Sequence, residues 1–103
     1  MEQTERIMEM EICLDASEKA IRELSEALSA FEAVQPQYRK LSDYYGSDQW
    51  MQDYADDEAG KLPRDLKRGV LSEDAVYDLI TENRELLVRM LRLVTSTLEN
   101  DGL

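Results

Sequence analysis

Histidine is missing from this chain, and cysteine occurs once, as Cys13. The first absence removes the commonest metal ligand and the usual general base. The second excludes an internal disulfide and any metal site built on several thiolates. A catalyst assembled here would have to use carboxylates, tyrosines, lysines, arginines or that one thiol. Glycine (four) and proline (two) are scarce, so the backbone has few places where a regular element must stop. No apolar run approaches the roughly 18 residues a membrane span requires. The opening MEQTERIMEMEI has neither the cationic start nor the apolar core of a secretory signal, so export by that route is not expected and the cytoplasm is the default compartment. Period-two runs rich in β-branched residues are also missing, which argues against strands.

What is present is an amphipathic, acidic chain. With 43% hydrophobic and 34% charged residues over 103 positions, it has the composition of one small globular domain rather than of a disordered segment. The net charge of -11 repels nucleic acid and anionic lipid over the molecule as a whole and favours cationic partners.

Apolar residues recur at Ile7, Met10, Leu14, Ile21, Leu24, Leu28 and Phe31, the alternating three-and-four spacing of a helix face, with only Ser17 breaking the series. This predicts a first helix over 4–34. Cys13, Ala20, Ala27 and Val34 widen the stripe on one side, as burial against two neighbours in a bundle would require. Pro36 is expected to stop this helix and to open a second, over 36–45, as its first residue. Gly46 is a left-handed stop, and Ser47 or Asp48 can cap a third helix, over 48–59, that Gly60 ends. Ser72 followed by Glu73 and Asp74 predicts the start of a last helix, over 72–99, whose rows Leu79, Leu86, Leu93 and Ile80, Leu87, Val94 cover more than one side, with Asn83 at the margin. Between them, residues 60–71 read as an ordered connector: Leu62, Leu66, Val70 and Leu71 turn inward, and Pro63 starts a helical turn that Gly69 ends. The resulting expectation is a single all-α domain, an antiparallel helical bundle of two long helices with a middle layer of two short ones.

The combination of "LSDYYGS" and "LPRDLKRGVLSEDAVYDL", behind the acidic opening helix "ERIMEMEICLDASEKAIRELSEALSAFEAVQPQYRK", resembles the small bacterial proteins of domain of unknown function family 4298, over roughly Glu5 to Leu98. The resemblance implies a stand-alone cytoplasmic helical domain. It carries over no activity, cofactor or catalytic residue.

Several constellations could carry chemistry or binding. Asp53, Asp56 and Asp57 share one side of a helix and, with Glu58, could offer oxygen ligands to Mg²⁺, as in all-helical nucleotide pyrophosphohydrolases; the plainer reading is a solvated helix end softened by Lys61 and Arg64. Glu82 with Glu85 would have to supply the facing acidic pair. Tyr44, Tyr45, Trp50 and Tyr54 gather aromatic area with polar handles, a candidate interaction surface or simply core filling. Lys61, Arg64, Lys67 and Arg68 either neutralise the nearby acids or receive an anionic group. A chorismate-mutase-like pocket would need Arg6, Arg22 and Lys40 to converge against the acidic field. Cys13 lies among acids, which disfavour a thiolate nucleophile. No cofactor is expected. The chain reads as a protein-binding or structural module, monomeric or a weak homodimer, whose partner is another protein; a nucleic-acid-mimicking inhibitor is a variant of that reading and a small enzyme the alternative.

Overall fold

The computed structural model describes residues 2–101. Among them lie three α-helices, α1 (Gln3–Tyr44), α2 (Asp48–Glu58) and α3 (Ala75–Asn100), with one 3-10 turn, Gly69–Leu71, and no strand. The all-helical class is the expected one. Two compact units divide the chain, Met1–Tyr38 and Arg39–Leu103.

The first unit is the long α1 up to Tyr38. Its start is capped locally: the Glu2 carboxylate accepts from the Thr4 N–H at 2.9 Å and from the Glu5 N–H at 3.4 Å. Those two donors are among the amides a helix leaves without an internal partner. The Thr4 N–H in particular holds the Glu2 carboxyl below the usual carboxylate range. Pro36 does not stop this helix, contrary to the expected break between 4–34 and 36–45. Proline inside a helix removes one donor and crowds the carbonyl four residues back, at a cost of about 3 kcal/mol. Here both Pro36 and Glu32, whose carbonyl loses its partner, are exposed, so water can take that carbonyl. One position earlier Gln35 Nε2 donates to the Phe31 carbonyl at 3.4 Å. No glycine follows until Gly46, and the intervening residues favour helix. The short helix expected at 36–45 is therefore the last part of α1.

Along α1 the predicted apolar stripe is present but lies at the surface: no residue of the helix is buried, and Ile21 is 69% exposed and Leu24 60%.

In the second unit α1 ends at Gly46, whose φ of +79° is the left-handed stop the sequence called for. Ser47, with φ -72° and ψ 168°, caps α2, its Oγ accepting from the Trp50 N–H at 3.2 Å. At the other end Gly60 has φ +72°. The Lys61 N–H donates to the Asp56 carbonyl and the Gly60 N–H to the Asp57 carbonyl, the paired closure that lets a glycine end a helix.

The connector is ordered but differently from the expectation. Pro63 opens a turn closed by the Leu66 N–H on the Pro63 carbonyl at 3.3 Å, and the helical turn begins at Gly69 rather than ending there. Among the described residues Leu71 (7% exposed) and Val76 (3%) are the buried ones, while Leu62 is half-buried and Leu66 and Val70 lie exposed. Ser72 is extended, with φ -74° and ψ 147°; its Oγ accepts from the Ala75 N–H at 3.2 Å from two residues before the N-cap Asp74, and α3 begins at Ala75 rather than at 72.

Candidate functional site

In the second unit, side chains of α2 and of the end of α1 meet the connector at a corner. Its centre is an aromatic stack. Trp50 and Tyr54, one turn apart on α2, stack at 5.3 Å between ring centroids, and the Tyr45 ring sets its edge against Trp50 at 5.2 Å. Such pairs add about 0.5–1.5 kcal/mol each beyond area burial. Every polar handle in the stack is used to hold a later segment. The Trp50 indole N–H donates to the Val70 carbonyl at 2.9 Å, Tyr45 Oη donates to the Glu73 carbonyl at 3.2 Å, and Tyr54 Oη donates to Glu73 Oε1 at 3.1 Å. That bond to Glu73, together with the charge of Glu58 and Asp57, pushes the Tyr54 phenol above its ordinary pKa. Beside the stack, Tyr44 Oη donates to Asp53 Oδ2 at 2.6 Å, which with partial burial raises the Tyr44 pKa to about 12. A phenol held this firmly in its neutral form is a poor proton donor at neutral pH.

Arg68 is the second anchor. Its guanidinium donates to the Asp57 carboxylate, to the Pro63 carbonyl and, through Nε at 3.2 Å, to the Leu66 carbonyl. One fork thus ties α2 to two points of the connector, the planar multi-donor geometry that lysine cannot supply. Lys61 lies 3.9 Å from Asp56, and Arg64 and Lys67 form no ion pair among the described residues.

The three carboxylates considered for Mg²⁺ are engaged separately: Asp53 by Tyr44, Asp56 by Gln52 Nε2 at 2.9 Å and by Lys61, and Asp57 by Arg68. Among the described residues no group of three or more His, Cys, Asp or Glu side chains is arranged to hold a metal ion. Nor is any helix long and apolar enough to cross a membrane among them.

Residues 7–93 match the profile of the family described as Domain of unknown function (DUF4298). The chain belongs to that family. No curated protein and no solved structure matches it.

The DUF4298 match takes in the α1 stripe, the whole aromatic corner and most of α3. Within this member the structure brings Tyr44, Tyr45, Trp50 and Tyr54 together and adds Arg68 to Asp57 at the same corner. It leaves Arg64 and Lys67 apart from that cluster, exposed. Cys13 is exposed and free. The sequence reading missed Glu73, which receives two tyrosine hydroxyls, one on its carbonyl and one on its carboxylate. Only its place before a helix was legible, and that suggests a dipole partner, not an acceptor for side chains 19 and 28 residues earlier.

Proposed function

We propose that this DUF4298 member is a cytoplasmic protein-binding module that works through apolar helix faces, with the aromatic corner serving to hold its architecture. The carrying observation is the α1 stripe: Ile7, Met10, Leu14, Ile21, Leu24 and Leu28 recur at the helical repeat, and each is exposed. Contiguous apolar patches of this kind mark association surfaces, whereas isolated exposed leucines are ordinary. An amphipathic helix closes such a face by packing against other helices, so the antiparallel bundle expected from the sequence becomes, in this proposal, a bundle completed by a partner. The net charge of -11 selects cationic or charge-alternating partners over nucleic acid.

The test is a photo-crosslinking amino acid placed at Ile21 or Leu24, on the stripe, and for comparison at Glu26, off it, in a chain expressed in a bacterial cytoplasm. Protein adducts are expected from the two stripe positions. Equal adduct yields from the stripe and from position 26 would overturn the reading.

A further inference from the structure

Within the second unit the connector residues Val70 to Glu73 sit on the aromatic stack as a short peptide would sit on a receptor. The Val70 carbonyl accepts from the Trp50 indole at 2.9 Å, and the Leu71 side chain beside it is 7% exposed. Two residues on, the Glu73 carbonyl accepts from Tyr45 Oη at 3.2 Å and its Oε1 accepts from Tyr54 Oη at 3.1 Å. The stack thus offers one indole N–H and two phenols, and the strap supplies an acceptor to each. These bonds need the acceptors, not the chain that tethers them to α2.

Two features make the contact releasable. All three bonds lie at the surface, where water can replace them, and Leu71 is the one buried side chain of the strap, with Val70 next to it 41% exposed. The pin that keeps the strap down is a different residue. Arg68 bonds Asp57 of α2 and the Pro63 and Leu66 carbonyls, and none of the groups from 70 to 73.

We infer that this corner is a peptide-binding site occupied by its own connector, an autoinhibitory contact, and that its outside occupant is an extended segment of a partner protein with the same series of groups. That series is a backbone carbonyl, then a leucine-sized apolar side chain, then a glutamate two residues further on. The leucine follows from the buried place of Leu71, the glutamate from the Tyr54 bond and the carbonyls from the Trp50 and Tyr45 bonds. Closed, the corner holds the fold. A tethered strap competes at an effective concentration of roughly millimolar order, so a free segment binds only the fraction of molecules whose strap is lifted. Removing the Arg68 pin raises that fraction and leaves the stack intact. The inference goes beyond the α1 reading above and does not depend on it.

The probe is a capped peptide GVLSED, the sequence of residues 69–74, added to the full-length protein while the fluorescence of Trp50, the only tryptophan, is followed. Wild type is expected to bind it weakly and Arg68→Ala about tenfold more tightly, the gain being the larger share of lifted straps. The same peptide with alanine in place of its leucine and its glutamate should bind neither protein. Equal affinity of wild type and Arg68→Ala, no binding to Arg68→Ala at millimolar peptide, or undiminished binding of the alanine peptide overturns the inference. Should Arg68→Ala lose helix by circular dichroism, the wild-type protein decides alone, through hydrogen exchange of the Trp50 indole N–H read by NMR. A strap that lifts exposes this proton while the helices stay formed, so its protection is expected to be lower by about tenfold or more than that of the slowest backbone amides of the second unit. Equal protection shows that the strap leaves only when the unit unfolds, and overturns the inference. Adducts from positions 21 and 24 read the α1 surface in every case, so the two readings fail separately.

Discussion

Truncating Leu71 to alanine strikes the small buried cluster of the second unit, while the same change at Leu66, five residues earlier in the same connector, strikes its surface. Leu71 is 7% exposed and Val76 3%, whereas Leu66 is 46% exposed. A leucine truncated in a closed core costs about 2–5 kcal/mol, the transfer of its methyl groups plus the cavity left behind. The cluster is thin and bordered by exposed Val70, so part of the cavity can collapse, which places Leu71→Ala near the lower end, about 2–3 kcal/mol. Leu66→Ala should cost less than about 1 kcal/mol. For a unit of this size each kcal/mol moves the melting temperature by about 4–8 °C, so the first variant should lose roughly 10–20 °C and the second less than about 8 °C. Trp50 is the only tryptophan, and its indole bonds to the Val70 carbonyl beside Leu71, so its fluorescence follows this corner specifically. Melts must be compared at one protein concentration, because association raises apparent stability. Equal losses for the two leucines would show that the connector is not held by Leu71 and would refute the packing argument.

Arg68→Ala should release the connector: faster amide exchange across residues 63–70 and a loss of about 1–2 kcal/mol, discounted because the side chain is 36% exposed, with Arg64→Ala within about 0.5 kcal/mol of wild type. Gly46→Ala forces a side chain into φ +79° and should cost about 1–2 kcal/mol although nothing lies within 4 Å of the new Cβ, a loss visible in urea melts. Tyr44 predicts a pH effect with a defined sign. Its folded pKa of about 12 lies above the unfolded 10, so its contribution is complete below pH 10 and is lost as pH rises from 10 to 12. Tyr44→Phe should therefore flatten the fall of stability over that window in melts taken at stepped pH, and an unchanged slope would contradict the Asp53 hydrogen bond as its cause.

Local punctuation was legible because its causes are local. Gly46, Ser47 and Gly60 act through φ angles and hydrogen bonds spanning a few residues, and each stands where the sequence placed it. Pro36 shows where such reasoning stops: the rule prices a missing donor at about 3 kcal/mol, but not the solvent that can take up the freed carbonyl or the helix-favouring residues on either side. In the connector the apolar residues were recognised as an ordering signal, yet one-dimensional spacing could not divide them into buried Leu71 and exposed Leu66, because that depends on where Trp50 and Arg68 pull the backbone. The apolar face of α1 was found with its repeat intact, while its cover was assigned by assumption. Periodicity shows that a face must be covered and is silent about which molecule covers it.

The basic connector poses the same distinction at the level of charge. Four cations in eight residues of a protein at -11 suggest a binding surface when counted together, and the structure separates them. Arg68 spends its donors on Asp57, Pro63 and Leu66, and Lys61 leans on Asp56 from the solvent side. An arginine already bonded to a carboxylate and two carbonyls has little left for an external anion, and displacing it would unfasten the turn that presents Leu71. Arg64 and Lys67, exposed and with no ion pair among the described residues, are then the cations of this stretch that can meet something outside without loosening the fold. With Arg68 bonded to Asp57 and Lys61 beside Asp56, half of the four cations are engaged within the fold, which makes the connector a fastening first.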